Sequence, residues 1–392
     1  MLNWPISPVN LLLDGATITV LLFPLAASMW LQYVANRCAA TGEHTKWVGY
    51  TRCVSPLMIL VVPAWWSLSV AIRNSSNNLS LTAAVPLWLL LVIPPSLSMV
   101  IARLVSYRAD AHVFGKRWTG WNIFLLAFWR TASSTFPLLI VAVAMDDIYN
   151  RNIAGFAWMI VAGIVVLLGR MRLMAAEGLR PRPVKSGELY KRSTVMAKKM
   201  GVRLRTVCVV PFGRGHLTNA YGGLTQIAVT DDYGRWLHGS QLDFVICHEL
   251  AHLKQKDALK TLGSMGAIFA AVSTPLLVMP QLSMPWRVFL NFLAILLPLM
   301  VFYALSRSSE YKADRLAVEM TGEPAMAIRA LVGLYRRADV PSQLSRFAEL
   351  FSTHPRLWSR VDAIAQRGKV SAAQVSEARE SFMEARTGIG RS

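Results

Sequence analysis

The segment Val245–His252, which reads VICHELAH, contains two histidines four residues apart, with a glutamate directly after the first. On an α-helix, positions four apart lie one above the other, so His248 and His252 can direct their imidazoles at one point. Imidazoles at this spacing are typical Zn²⁺ ligands, and Glu249 is placed to exchange a proton with a water molecule there. The stretch therefore predicts a helical metal centre able to hydrolyse an amide bond.

The residues around this motif fit a helix that is buried on the sides away from the metal. Ser240–Asp243 is predicted to form the N-terminal cap, with the carboxylate of Asp243 in the first turn. Leu250 and Leu253 cover other faces of the helix. Cys247 precedes the first histidine but points to a different side, so we interpret it as a packing residue and not as a fourth ligand.

The composition of the chain is that of a membrane protein. It is 54% hydrophobic and 16% charged, whereas soluble proteins carry about 25% charged residues. Apolar runs long enough to cross a bilayer lie at 16–35, 54–72, 85–102, 121–144, 153–168, 262–279 and 286–305. The predicted fold is therefore mostly α, a multi-pass membrane protein with about seven transmembrane helices. Arg130 lies inside the fourth run, and we expect it to extend to the membrane surface; the alternative is that it lines a polar cavity in the membrane.

Basic residues alternate between successive loops, which predicts the orientation. The segment before the first run has no Lys or Arg, whereas basic residues are frequent after it, again at 103–117, and most of all at 170–185. By the positive-inside bias, the N-terminus lies outside and the segment after Arg170 is cytoplasmic. We expect an integral membrane protein, most consistent with a bacterial inner membrane.

The net charge of +19 raises the question of nucleic-acid binding. Much of this charge lies in loops beside the predicted spans, where anionic lipids attract each basic residue by about 1 kcal/mol. Since no nucleic-acid-binding motif accompanies it, the expected partner is the lipid bilayer and not a nucleic acid. The four cysteines provide no disulfide framework, as expected in a reducing compartment. The oligomeric state cannot be predicted from this pattern.

The spans divide the chain into four predicted regions. Residues 1–169 form a membrane domain with five spans, 170–261 the first part of a cytoplasmic protease domain, 262–305 a membrane hairpin, and 306–392 the second part with the tail. A basic connector with prolines is predicted at 170–185.

Short elements follow the connector. We predict a helix at 188–200, strands at 206–210 and 226–230, helices at 325–337 and 346–366, and a loosely ordered tail from Lys369. This order indicates a small α+β domain around the metal helix, in which an edge strand can bind an extended peptide.

A catalytic zinc site needs a third protein ligand and one open position. Glu310 and Asp314 are four residues apart and therefore share one helical face. Glu310 can bind the metal, and Asp314 can accept the free N–H of a ligand histidine. The other interpretation of the same pattern is an exposed acidic pair beside Arg307 and Arg315.

Taken together, the motifs resemble those of the M48 metallopeptidases, membrane zinc proteases of the HtpX and Ste24 kind. The segments His248–His252 (HELAH), Glu310–Asp314 (EYKAD) and Thr353–Pro355 (THP) carry the resemblance, which covers about 189–364. It implies a zincin-like α+β protease domain with one Zn²⁺ per chain. The implied roles are metal ligands at His248, His252 and Glu310, the base at Glu249, and support for a ligand at Asp314.

The resemblance also implies residues of a substrate cleft. Asn219, Ala220 and Tyr221 match a stretch before a strand that flanks the cleft and binds substrate. His354 and Arg360 match residues near the metal that contact the substrate or the developing oxyanion.

Two further matches concern the metal helix and the membrane part. Asp257 matches a recurrent acid after the metal helix, which we interpret as structural. The five runs before the first motif are more like Ste24 than HtpX, although Ala251 stands where Ste24 proteins commonly have glycine.

These observations predict a zinc-dependent endopeptidase. Because the sixth run begins about ten residues after His252, the expected substrates are membrane-associated or lipid-attached proteins at the cytoplasmic membrane face. One alternative is an M56-like sensor-transducer, which would require a long outside domain. The other is a non-catalytic membrane chaperone or scaffold, against which the intact metal motif argues.

Overall fold

The computed structural model describes residues 8–42, 46–51, 54, 61, 64–65, 87–116, 118–149, 152–178, 180–211, 220–222, 225–231, 233–237, 239–278, 283–337 and 349–388. The described part is mostly helical. The chain divides into two compact units. The first comprises Met1–Ala39, Cys53–Ala176 and Met265–Leu299, and the second comprises Ala40–Arg52, Glu177–Ser264 and Met300–Ser392. The division into four regions at 169, 261 and 305 stays a prediction.

Long apolar helices build the first unit. In chain order they include α1 (Pro8–Thr41), α2 (Leu87–Val113), α3 (Gly120–Ser134), α4 (Phe136–Tyr149) and α5 (Ala154–Ala176). Helix α5 packs against α3 and α4. It approaches α3 closely at Gly169, where a Cβ would lie 2.9 Å from the Cα of Ser133. Small residues at such crossings let helix backbones approach each other in a membrane.

Four stretches of the described chain are long and apolar enough to cross a membrane. They are Ile18–Thr41, Gly120–Val141, Ala154–Ala176 and Phe292–Thr321. Each overlaps a predicted run, so the integral-membrane character is supported. Of the other predicted runs, 54–72 lies mostly outside the described residues, while 85–102 and 262–279 fall on helices that are not among these four candidates. A total of about seven spans stays a prediction.

The fourth predicted run is interrupted in the structure. Helix α3 ends at Ser134 with Thr135 as its C-cap, and α4 starts at Phe136. Pro137 lies in the first turn of α4, where its missing N–H is not needed for the helix ladder. Arg130 is exposed near the end of α3.

A four-stranded sheet forms the β part of the second unit. Its strands are β1 (Arg182–Val184), β2 (Thr206–Val210), β3 (Ala220–Gly222) and β4 (Gln226–Thr230), in the order β1-β2-β4-β3. Strands β2 and β4 are parallel, and β1 and β3 pair antiparallel at the two edges.

The two predicted strands are confirmed as β2 and β4, but the connector predicted at 170–185 is wrong over its last residues. There, β1 pairs with β2, with Pro183 opposite Cys208. A proline is tolerated in β1 because an edge strand does not need every N–H for pairing.

The remaining helices belong wholly or partly to the second unit. They are α6 (Glu188–Met200), α7 (Tyr233–Trp236), α8 (Ser240–Gln255), α9 (Asp257–Val278), α10 (Met284–Thr321), α11 (Pro324–Arg337), α12 (Leu357–Gly368) and α13 (Ala372–Gly388). The predicted helix at 188–200 is confirmed as α6. Helices α6 and α8 contact the sheet, α11 packs against α8, and α12 packs against α11. They share one core, which includes Ile227, Ile246, Leu250, Leu331 and Val361.

Two predictions for the C-terminal part are wrong in extent. The helix predicted at 346–366 begins as α12 only at Leu357, and part of that range lies outside the described residues. The tail from Lys369, predicted to be loosely ordered, forms α13. Phe382 anchors α13, since it is fully buried and packs edge-on against Trp358, with ring centroids 5.6 Å apart. A single large apolar anchor in a polar helix leaves only a weak periodic signal.

Candidate metal centre

Helix α8 carries both histidines of the HELAH motif. It begins at Ser240 after Gly239, which has φ 55° and ψ −130°, a conformation that glycine adopts readily. The predicted cap by the Ser240 side chain is wrong, because Ser240 Oγ donates to Glu323 Oε1 at 2.8 Å. Asp243 lies in the first turn as predicted, and it contacts Arg192 of α6 at 2.8 Å. These polar contacts fix the start of α8 to its neighbours.

The side of α8 away from the metal residues lies in the core. Ile246, Cys247, Leu250 and Ala251 are fully buried there. Burial, with Asp243 nearby, raises the pKa of the Cys247 thiol to about 12. A neutral thiol in this setting is a packing residue, as the sequence predicts.

His248, His252 and Glu310 come together from α8 and α10. The Nε2 atoms of the two histidines are 3.2 Å apart. Glu310 places Oε2 3.6 Å from Nε2 of His248 and Oε1 3.6 Å from Nε2 of His252. One ligand atom from each residue lies within 4.8 Å of the others. Donors about 2.1 Å from a tetrahedral zinc ion are themselves roughly 3.3 Å apart, so these residues fit such an ion.

Carboxylates face the far nitrogen of each imidazole. His252 Nδ1 lies 2.9 Å from Asp257 Oδ2, and His248 Nδ1 lies 3.0 Å from Asp314 Oδ1. The hydrogen bond to Asp257 keeps the proton of His252 on Nδ1 and leaves its Nε2 lone pair for a metal. Burial opposes a charge on His252, but the bond to Asp257 and the charge of Glu310 outweigh it and raise the pKa of His252.

Asp257 is a site residue whose role the sequence reasoning missed. Helix α8 ends at Gln255, and its C-cap Lys256 has a left-handed φ of 53°, so the chain turns sharply and α9 starts with Asp257. This turn returns the Asp257 carboxylate to His252, five residues earlier. A glycine at a helix end often indicates a left-handed residue, whereas a lysine does not. The signal in the sequence that could have indicated the role of Asp257 was an acid directly after the end of the helix.

Arg360 of α12 joins the carboxylates of the site. Its Nε and Nη2 each lie 2.7 Å from an oxygen of Asp314, and its Nη1 lies 2.9 Å from Glu310 Oε2. Arg360 is 5% exposed. Burial disfavours its charge, but Asp314 and Glu310 raise the pKa of Arg360 well above its ordinary value. The guanidinium therefore stays charged and holds both carboxylates in place.

His354 faces the same carboxylate from a different side. Its Nδ1 lies 3.1 Å from Glu310 Oε2, and its side chain is 49% exposed. Of the two residues predicted near the metal, His354 is thus accessible to a ligand, whereas the donors of Arg360 already face carboxylates.

Glu249 is buried beside the metal ligands, with 8% exposure. Burial raises the pKa of Glu249, and the adjacent His248 and His252 partly offset this rise. A raised pKa makes a carboxylate a stronger proton acceptor, as a general base requires.

The predicted substrate-binding stretch leads to the sheet edge. Asn219 lies outside the described residues, while Ala220 and Tyr221 begin β3. Within the described residues, β3 pairs with β4 and has no second neighbouring strand. Helix α8 packs against β3. An edge strand beside the metal helix can pair with an extended peptide through its main chain.

Comparisons with known proteins agree with this geometry. Residues 183–368 match peptidase family M48. The protease HtpX homolog of Pelotomaculum thermopropionicum is 28% identical over 223 residues, covering 46% of this chain and 77% of that protein. The HtpX homolog of Methanopyrus kandleri is 28% identical over 229 residues, covering 48% of this chain and 70% of that protein.

The fold also resembles that of a solved structure. The crystal structure of S. mikatae Ste24p aligns with a TM-score of 0.53 and 15% identity, covering 92% of this chain and 100% of that chain. At this identity the likeness shows the fold. The family match, the relatives and the candidate spans together support a membrane metalloprotease. Together, the family match at 183–368, the HtpX homologs and the Ste24p-like fold support an M48-family protease of the HtpX and Ste24 kind.

Proposed function

We propose that the protein is a zinc-dependent endopeptidase that cleaves membrane-associated or lipid-attached proteins at the cytoplasmic membrane face. One observation carries the proposal: two imidazole nitrogens 3.2 Å apart, each 3.6 Å from an oxygen of one carboxylate. His248, His252 and Glu310 would hold one zinc ion per chain. Bound there, zinc would act as a Lewis acid that lowers the pKa of a water molecule and polarises the peptide carbonyl.

Glu249 performs the proton transfers of the reaction. Its buried carboxylate accepts a proton from the attacking water and donates it to the leaving amine. Burial raises the pKa of Glu249, which makes its carboxylate a stronger acceptor for the proton of the water. Asp257 and Asp314 keep the ligand imidazoles oriented with Nε2 toward the site.

His354 stabilises the developing oxyanion in this mechanism. Its half-exposed ring lies 3.1 Å from Glu310, and a positioned donor at a developing negative charge lowers the barrier. Arg360 acts differently, because its contacts with Asp314 and Glu310 position those carboxylates and not the substrate.

The edge strand β3 aligns the substrate. Ala220 and Tyr221, preceded by Asn219, would pair with the backbone of an extended peptide. Main-chain pairing of this kind accepts many peptide sequences, and other contacts then select the side chains. This supports an endopeptidase acting on unfolded or extended segments.

Two observations support action at the cytoplasmic membrane face. Glu310 lies on α10, toward the polar C-terminal end of the candidate span Phe292–Thr321. The candidate span Ala154–Ala176 is followed by basic residues at 180–185, which the positive-inside bias assigns to the cytoplasm.

The full chain, purified in detergent, tests the proposal. Zinc per chain is measured by elemental analysis, and proteolysis with fluorescein-labelled casein. Glu249→Gln is expected to retain one zinc and to lose on the order of 10²- to 10⁴-fold in rate. Glu319→Gln is the control, since Glu319 is exposed on α10 and pairs with Arg315. Undiminished proteolysis by Glu249→Gln would refute the proposal. Comparing membrane proteomes of cells with active and Glu249→Gln protein would then identify substrates.

A further inference from the structure

One face of α10 holds a loop as well as the metal ligand. Tyr303, Arg307 and Glu310 are spaced by four and three residues and therefore lie on the same side of this helix. We call residues Glu349–Pro355 the His354 loop. Phe351 of this loop packs edge-on against Tyr303, with ring centroids 6.1 Å apart.

Arg307 binds the His354 loop through its backbone. Its Nη1 donates to the carbonyl oxygens of Glu349, Leu350 and Ser352, at 2.8, 3.0 and 3.0 Å. The Glu349 carbonyl also accepts from the Ser352 amide N–H at 3.1 Å, and hydrogen bonds from a charged guanidinium are stronger than those from a neutral donor. Arg307 thus does not act as a counter-ion for the acids at 310 and 314; within the described residues its hydrogen bonds go to main-chain oxygens.

Hydrogen bonds within the His354 loop hold Ser352 against the backbone of His354. Ser352 Oγ accepts from the amide N–H of His354 at 3.2 Å and donates to the His354 carbonyl at 2.7 Å. Tyr335 donates to the Pro355 carbonyl at 3.0 Å. Fixing the carbonyl of Ser352 therefore also fixes the backbone of His354, whose ring lies 3.1 Å from Glu310.

We infer that Arg307 is a positioning residue for His354. It ties the His354 loop to the helix that carries Glu310, so the imidazole and the metal ligand keep a constant separation. The inference rests on the proposed function, in which His354 stabilises the oxyanion. Arg307 acts through His354, and removing it matters only where the imidazole contributes to the rate.

A double-mutant cycle on the full, zinc-loaded chain tests this, with fluorescein-labelled casein as the probe. Because a displacement of about 1 Å can cost 10²-fold, Arg307→Ala is expected to lower kcat roughly 10- to 100-fold with little change in KM. The double variant with His354→Ala should be no slower than His354→Ala alone. Arg307→Lys should recover part of the rate, because an ammonium group can still donate to these carbonyls.

Arg315→Ala is the matched control. Arg315 is exposed on the same helix and pairs with Glu319, so its removal should leave kcat unchanged. Amide hydrogen exchange supplies a second readout: exchange at 349–356 should speed up in Arg307→Ala and not in Arg315→Ala, with zinc content the same in both.

Two sets of outcomes separate this inference from the proposed function. Full activity of Arg307→Ala or of His354→Ala, beside an inactive Glu249→Gln, overturns the inference and leaves the protease standing. The same holds if Arg307→Ala costs as much in the His354→Ala background as alone. An active Glu249→Gln overturns both.

Discussion

Removing the carboxylate of Asp257 should weaken zinc binding without removing any ligand. Asp257 Oδ2 lies 2.9 Å from Nδ1 of His252, and the two side chains are 17% and 20% exposed. A hydrogen bond involving a charged group contributes about 1.5–3 kcal/mol. At about 1.4 kcal/mol per tenfold change, Asp257→Ala should lower zinc affinity roughly 10- to 100-fold, as expected for loss of a residue that orients a metal ligand.

The measurement is a competition titration of zinc-stripped protein against a chromophoric chelator, at about pH 8, where protons compete little for histidine. Asp257→Asn should lose less affinity, because its amide oxygen still accepts a hydrogen bond without the charge. Asp243→Asn is the control, an acid of α8 that pairs with Arg192. If Asp257→Ala binds zinc within about twofold of the unchanged protein, the orientation of His252 does not depend on this carboxylate and the reasoning is wrong.

Three further predictions concern packing. Phe382→Ala should destabilise the protein by about 3–5 kcal/mol, because Phe382 is fully buried; denaturant unfolding in detergent measures this, and a loss below about 1 kcal/mol would mean that α13 is not anchored there. Cys247, whose pKa burial raises to about 12, should react with maleimide slowly at neutral pH and rapidly after denaturation; fast labelling of the native protein would contradict its burial. Gly169→Val should lower the thermal stability, since a Cβ at this position meets Ser133 at 2.9 Å. At Gly163 an added Cβ would meet no atom of another element within 4 Å, so Gly163→Ala should be neutral or stabilising by up to about 1 kcal/mol. A larger loss of stability in Gly163→Ala than in Gly169→Val would exclude the close contact of α5 with α3.

Elements with a strong local pattern were predicted with nearly correct bounds. The amphipathic spacing at 188–200 and the β-branched runs at 206–210 and 226–230 correspond to α6, β2 and β4. Each of these segments contains enough apolar residues to indicate its own period.

Elements that depend on a neighbour were missed. Strand β1 contains one arginine, one proline and one valine, and it is a strand because β2 supplies its hydrogen bonds. Helix α13 is polar apart from a few anchors such as Phe382, which is buried by α12 residues such as Trp358. The pattern within such segments is too weak to exclude a loop.

The candidate site shows the same division. The approach of His248 to His252 follows from one helical turn, and the donor types of both residues and of Glu310 indicate zinc. By contrast, the exposed acidic pair that Glu310 and Asp314 also permitted is excluded by their burial, at 7% and 2% exposure. That burial depends on Arg360, which reaches both carboxylates from a different helix.

Properties that are local along the chain could be predicted from the amino-acid order: apolar runs long enough for a membrane, helical spacing of the histidines, and the chemistry of the donors. Which distant groups meet became visible only in the folded chain, such as Asp257 with His252 after a left-handed turn, and Arg307 with three carbonyls of the His354 loop. The difference arises because periodicity and side-chain chemistry are encoded within a few residues. Contacts between separate elements are stabilised by the burial of the whole core, which no short pattern contains.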